Sequence, residues 1–237
     1  MTDYRTSVIF IQNSENNDMD GKIYFRYGVM GSGKTMNLAT AAFNFVEKGI
    51  PVLVMKPGKD TRSTKIKSRV PGVQVDCINI PEDCNVYDLV APMFNLKECS
   101  AKKVNDIKNI RPDWIIADEA QFFTKEQIDQ FTDIADEFGV NIIFYGLRTD
   151  FRGEMFEGSK RILEVADKYE EMKSACFCGK KATINARVID GYVTTEGEQV
   201  VVGANEMYVP LCRKCWKRHI KYHLPIEIPQ VKNNLNS

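Results

Sequence analysis

Gly28, Val29, Met30, Gly31, Ser32, Gly33, Lys34 and Thr35 meet the pattern G-x-x-x-x-G-K-[ST] at every constrained position. Glycine at 28, 31 and 33 lets the backbone take positive φ and come close to phosphate, so that successive N–H groups converge on one anion. Lys34 is a mobile cation for the β- and γ-phosphates, and the Thr35 hydroxyl is a ligand for Mg²⁺. The chemistry indicated is that of a nucleoside triphosphate. The competing reading is an ordinary glycine-rich turn.

Two further clusters carry chemistry. Asp118, Glu119, Ala120 and Gln121 follow an apolar run at 114–117. An apolar strand ending in a carboxylate is how phosphate-loop enzymes present the acid that holds Mg²⁺, and Asp118 fits that role. Glu119 points elsewhere and is free to act as a base; the whole run 118–121 is assigned to the nucleotide site. Without a phosphate loop upstream, an acidic turn before a helix would explain the same residues. The other cluster is Cys176-x-Cys178, then 33 residues, then Cys212-x-x-Cys215. That spacing reads as a four-thiolate zinc site rather than free thiols, and four sulfurs close the shell, so the metal would hold the fold and do no chemistry. His219 and His223 read as surface residues, and Cys77, Cys84 and Cys99 as small inert ones.

These groups must be positioned by regular elements. Residues 22–27 alternate like a strand, and 36–48 read as a helix stopped at Gly49, with Pro51 beyond. Residues 51–56 read as a buried strand, completing a βαβ unit. Asp60 and Arg62 then leave a strand's carboxyl end, where ligands gather in open α/β sheets, although each alone reads as a solvated loop charge. Residues 73–80 suggest a strand, 86–96 a helix or part of one, 125–138 a helix and 141–145 a strand. The last leads to a loop holding Leu147, Phe151 and Phe156, whose aromatic rings suit either core packing or a slot for a flat ligand. Between the cysteine pairs, 184–189 and 199–202 read as strands of a small β unit. The expected fold is α/β, a phosphate-loop parallel sheet flanked by helices, followed by a small zinc-binding β domain.

Composition narrows the class. Lys plus Arg number 32 and Asp plus Glu number 32, so no overall positive field exists to hold nucleic acid. No apolar run reaches membrane-spanning length and no secretory signal is visible, which together with grouped cysteines implies a cytoplasmic protein with no membrane partner.

With these motifs in one order, the chain resembles the cytosolic, zinc-containing thymidine kinases of bacteria, large phages and animals. The resemblance runs over residues 22–216. It rests on the phosphate loop with Met30, on Asp60-Thr61-Arg62, Asp118-Glu119-Ala120-Gln121-Phe122 and Gly146-Leu147-Arg148-Thr149-Asp150-Phe151, and on both cysteine pairs. It implies that Glu119 takes the proton from the 5′-hydroxyl of thymidine and that Lys34 and Arg62 are cations at the transferred phosphate. Met30, Asp60, Phe122, Leu147, Phe151, Phe156 and Tyr208 would surround the nucleoside, with Tyr208 in a loop folding over it from the zinc unit. ATP and Mg²⁺, a structural Zn²⁺, feedback inhibition by thymidine triphosphate and a homotetramer are implied as well. The first cysteine pair has one intervening residue where many members have two. The division expected is an N-terminal extension (1–21), a nucleotide-binding kinase domain (22–173), a zinc-binding domain with a substrate-covering loop (174–220) and a C-terminal tail (221–237). Rival readings are a DNA-dependent ATPase resembling helicases, a zinc-ribbon protein that only switches with nucleotide, and a kinase of another deoxynucleoside.

Overall fold

Alternation within the strands explains the layering. In Val52-Leu53-Val54-Met55, Ile115-Ile116-Ala117 and Ile142-Ile143-Phe144-Tyr145 every residue is buried, so both faces of the sheet are covered. Leu53, Met55, Ile115, Ala117, Ile142 and Phe144 face one core, while Val52, Val54, Ile116, Ile143 and Tyr145 face another.

The computed structural model describes residues 21–58, 64–95, 111–199 and 207–226. In chain order the elements are β1 (Ile23–Tyr27), α1 (Lys34–Glu47), β2 (Val52–Pro57), β3 (Lys65–Lys67), β4 (Gln74–Asp76), β5 (Ile78–Ile80) and α2 (Val86–Val90). Then come β6 (Trp114–Ala117), α3 (Lys125–Phe138), β7 (Asn141–Gly146), α4 (Glu157–Val165) and β8 (Lys168–Glu171). Last are β9 (Ile184–Ile189), β10 (Tyr192–Thr194), β11 (Met207–Leu211) and α5 (Arg213–Lys221). A six-stranded sheet has the order β5-β2-β6-β7-β1-β8, and all its pairings are parallel. The three-stranded sheet β10-β9-β11 is antiparallel and carries the cysteine cluster. This is the α/β architecture expected.

Helices cover the sheet according to their apolar stripes. Leu38 and Ala42 of α1 pack on the face with Tyr145, and Ile128, Phe131 and Ile134 of α3 pack on the face with Phe144. Thr124 and Gln127 form a reciprocal capping box at the start of α3, a feature worth about 1 kcal/mol. Gly139 at φ 67 ends the helix. The buried Gln127 amide also donates to the carbonyls of Pro81, Glu82 and Cys84, fixing the approach to α2.

One expectation changes and another, the partial helix at 86–96, is sharpened. Residues 73–80 do not form one strand: β4 pairs with β3 in a separate hairpin and β5 joins the main sheet beside β2. Cys77 sits at the break, buried beneath α1, with its N–H bonded to the Thr64 carbonyl at 2.8 Å. The stretch from 86 begins as α2 but tightens to a 3₁₀ turn over Ala91–Asn95, because Pro92 lacks the N–H that an α-helix would use. Nearly all of the N-terminal extension, Cys99 and most of the strand expected at 199–202 lie outside the described residues.

Gly158 shows how closely the site is built. A Cβ there would lie 2.6 Å from the Phe123 carbonyl oxygen and 2.7 Å from that of Ala120, so α4 seats directly on the turn that follows Asp118. Gly158→Ala should lower unfolding free energy by about 1–3 kcal/mol, the cost of overpacking a filled contact. Urea unfolding measures this, and a variant as stable as the parent would show that α4 does not seat that turn.

Candidate functional site

The phosphate loop leaves the carboxyl end of β1 and is fastened at once. The Gly28 N–H donates to the Gly146 carbonyl at 3.2 Å, tying the loop to the end of β7. Gly31 and Gly33 have φ of 76 and 81, and Gly33 caps α1 in the left-handed region that a Cβ penalises. Gly28 has no positive φ among the described residues; it is needed for close approach, since a Cβ would meet the Met172 carbonyl oxygen at 2.5 Å. Asn37, in the first turn of α1, accepts from Arg26 Nη1 at 3.0 Å and from the Tyr145 hydroxyl at 2.7 Å. This partly buried network locks the helix start to β1 and β7.

Lys34 Nζ turns back and donates to the carbonyls of Gly28 and Val29, each at 3.0 Å. Burial lowers its pKa, opposed by the carboxylates of Glu119 and Asp118 and aided by Arg69. Opposite it, β6 delivers Asp118, whose N–H donates to the Met55 carbonyl at 2.9 Å. The Asp118 carboxyl is 4% exposed and its pKa is pushed up to about 7, first by burial and then by Glu119, against the pull of Lys34 and Lys56. Such a buried carboxyl is short of positive charge. With the Thr35 hydroxyl it is the hard oxygen donor set that suits Mg²⁺.

Glu119 is exposed and has φ 50, a backbone state costing about 1–3 kcal/mol for a residue with a side chain. Gln121, 2% exposed, bridges the walls: its Nε2 donates to Glu119 Oε2 at 2.6 Å, and its Oε1 accepts the Leu147 N–H at 2.9 Å. The Ser159 hydroxyl donates to the Leu147 carbonyl, pinning that loop from α4.

Met30, Lys34, Thr35, Glu119 and Leu147 line one cavity of about 280 Å³, together with Ser68 and Arg69 from the turn between β3 and β4. Phe122 and Phe156 meet edge to face with centroids 5.6 Å apart. Phe151 is buried, with the Arg187 guanidinium 5.0 Å from its ring centre. Tyr208, on β11, lies directly opposite Arg187 in the strand register. None of these four aromatic residues is among those lining that cavity. Asp60 and Arg62 lie outside the described residues. A larger opening, about 780 Å³, has Arg148, Lys180 and Lys214 in its wall but neither Lys34 nor Glu119, so size does not mark the chemistry.

The sequence reading missed Ser68, Arg69, Asn185 and Arg187. No motif marks them; only the hairpin and β9 carry them to the site. Gln121, expected at the nucleotide site, also ties two protein segments together.

Cys176, Cys178, Cys212 and Cys215 place their sulfurs within 4.8 Å of one another, and the Cys178–Cys212 sulfur distance is 3.6 Å. A tetrahedron of sulfurs about a central zinc has edges of about 3.8 Å, so the four thiols fit one such ion. A tight turn, Gly179 N–H to the Cys176 carbonyl at 2.8 Å, presents the first pair. Cys212 caps α5, its sulfur accepting the Cys215 N–H. His219 bonds through Nδ1 to the Leu224 carbonyl, and His223 stacks on Tyr192; neither belongs to the cluster. Among the described residues no helix is long and apolar enough to cross a membrane.

A family model described as thymidine kinase matches residues 21–216. A thymidine kinase of Enterococcus faecalis is 42% identical over 196 residues, covering 81% of this chain and 93% of the relative. One of Lactococcus lactis is 40% identical over 196 residues, covering 81% and 95%. That of Enterobacteria phage T4 is 41% identical over 202 residues, covering 84% and 97%. Match length and identity agree with the order of motifs around the cavity: this chain belongs to the thymidine kinase family.

Proposed function

We propose that the protein transfers the γ-phosphate of ATP to the 5′-hydroxyl of thymidine, with deoxyuridine as a second acceptor, in one direct step. The observation that carries this reading is the meeting of Lys34, Thr35, Glu119 and Leu147 around one cavity, with Gln121 holding Glu119 against the acceptor-side loop. The loop 28–35 and residues 118–121 take the triphosphate. Lys34 leaves its loop carbonyls for the phosphates, and Arg62 joins it by family resemblance. Asp118 and Thr35 hold Mg²⁺, which when bound offsets charge on the phosphate oxygens. Glu119 accepts the proton as the 5′-oxygen bonds to phosphorus and the bond to the bridging oxygen of the departing diphosphate breaks. Leu147, Phe122, Phe151, Phe156, Met30, Asp60 and Tyr208 surround the nucleoside.

The cysteine cluster holds structural Zn²⁺, and its unit (174–220) is a domain apart from the kinase domain (22–173). Phe43 is 63% exposed on α1, two turns from Met36 at 39%, which supports a contact between copies; the homotetramer itself follows from the family resemblance. Thymidine triphosphate acts as feedback inhibitor by filling both halves of the site, and the protein works in the cytoplasm.

Three measurements test this. ATP incubated with a panel of deoxynucleosides should phosphorylate thymidine at the 5′ position in preference to deoxycytidine and the purine deoxynucleosides; ATP hydrolysis stimulated by DNA without nucleoside phosphorylation would overturn the reading. Glu119→Gln should keep ATP affinity and lose turnover by about 10² to 10⁴, the contribution of a placed base; parental turnover would remove Glu119 from that role. Cys212→Ser should lower zinc from one per chain toward none and expose 174–220 to protease, since structural zinc is worth roughly 10–16 kcal/mol in small peptides; a zinc-free parent would refute the assignment.

Asp118 sets a pH dependence. Its folded pKa of about 7 exceeds the unfolded value, so its protonated form favours folding and that contribution fades as pH rises from about 4 to 7. Mg²⁺ nucleotide requires the ionised form, so binding at about pH 6 should release close to one proton, falling toward zero above about pH 8. Calorimetry in buffers of different ionisation enthalpy reads this. Proton release that does not vary with pH, or that survives Asp118→Asn, would contradict it.

A further inference from the structure

One strand of the cysteine unit reaches both halves of the site. In β9, Ala186 and Val188 join the core of the small unit, and alternation turns Asn185 and Arg187 the other way. Asn185 is 4% exposed, and its Oδ1 accepts the Met30 N–H at 2.6 Å. Val29 packs in the small unit's own core among Cys176, Cys212 and Leu211. Three consecutive residues of the phosphate loop are therefore gripped from behind: Gly28 by the end of β7, Val29 by the cysteine unit and Met30 by Asn185. Arg187 sits instead over the Phe151 ring, and its Nη1 donates to the Glu198 carbonyl at 3.1 Å.

We propose that Asn185 is a positioning residue for the phosphate donor, and that the cysteine unit thereby shapes the ATP half of the site as well as the nucleoside half. The inference rests on the donor reading of residues 28–35. The Met30 N–H spent on Asn185 does not face a ligand; it fixes the peptide planes on either side, so the remaining loop amides converge before phosphate arrives. Without the acceptor, a partly buried N–H is left without its protein partner and the loop relaxes to satisfy it elsewhere.

Asn185→Leu in the full-length, zinc-loaded protein should weaken ATP binding about tenfold and thymidine binding by a clearly smaller factor, since of the residues around the nucleoside it disturbs Met30 alone. Arg187→Met should do the reverse, and Asn185→Asp, which keeps an acceptor oxygen, should restore most of the ATP affinity lost in the leucine variant. Equal losses for both ligands in Asn185→Leu, or unchanged ATP affinity, would overturn the proposal. Hydrogen exchange on the parent protein stands even if a variant does not fold. On chelation of zinc, deuterium uptake in the peptide spanning 28–35 should rise together with that of β9, and a loop that stays protected while β9 loosens would also overturn it. A parent protein that binds no ATP would sink the donor reading and this inference together, whereas ATP binding indifferent to Asn185 sinks only the inference.

Discussion

Adjacent parallel strands end at the same edge, and in this molecule β6 and β7 are paired so that Ala117 faces Phe144. That register leaves the acidic turn and the loop after β7 side by side, and the Gln121 amide fixes their separation through one bond to each. The amide can do so because it is buried, where an unmade hydrogen bond costs more than in water. A Cβ at Gly146 would lie 2.8 Å from Gln121 Oε1, so the strand end must be bare for the amide to reach. Phosphoryl transfer requires little covalent participation from protein and much alignment. A contact that sets the distance between a carboxylate and the acceptor's wall is therefore the constraint on which the proposed chemistry depends.

The second constraint comes from the cysteine unit. Four clustered cysteines flank a small sheet that has a modest apolar core of its own. The same sheet presents Asn185 to the phosphate loop and Arg187 to Phe151. Folding of the small unit and shape of the site are thus connected through named contacts.

Much of this was legible in the sequence where the signal is local. The phosphate loop, the acid after an apolar run, the helix at 125–138, the strands at 141–145 and 184–189 and the cysteine pairs each depend on spacing within a short stretch. The family match over residues 21–216 nearly coincides with the span from which the resemblance was read. What was not legible depends on tertiary placement. Residues 73–80 read as one run of strand formers, yet the chain divides them between two sheets at Cys77. Arg69 carries no motif and reaches the cavity only because β3 and β4 fold over it. Asn185 looks like the polar half of an alternating strand, and its importance lies in what stands opposite.

Direct transfer requires that the two substrates meet at the cavity between Lys34 and Glu119, aligned by the protein, with Glu119 taking the proton. The stereochemistry at phosphorus tests it most directly. With ATP made chiral at the γ-phosphorus by oxygen isotopes, one in-line displacement should give thymidine 5′-monophosphate with inverted configuration. Retention would require two displacements through a phosphorylated protein group and would contradict the account.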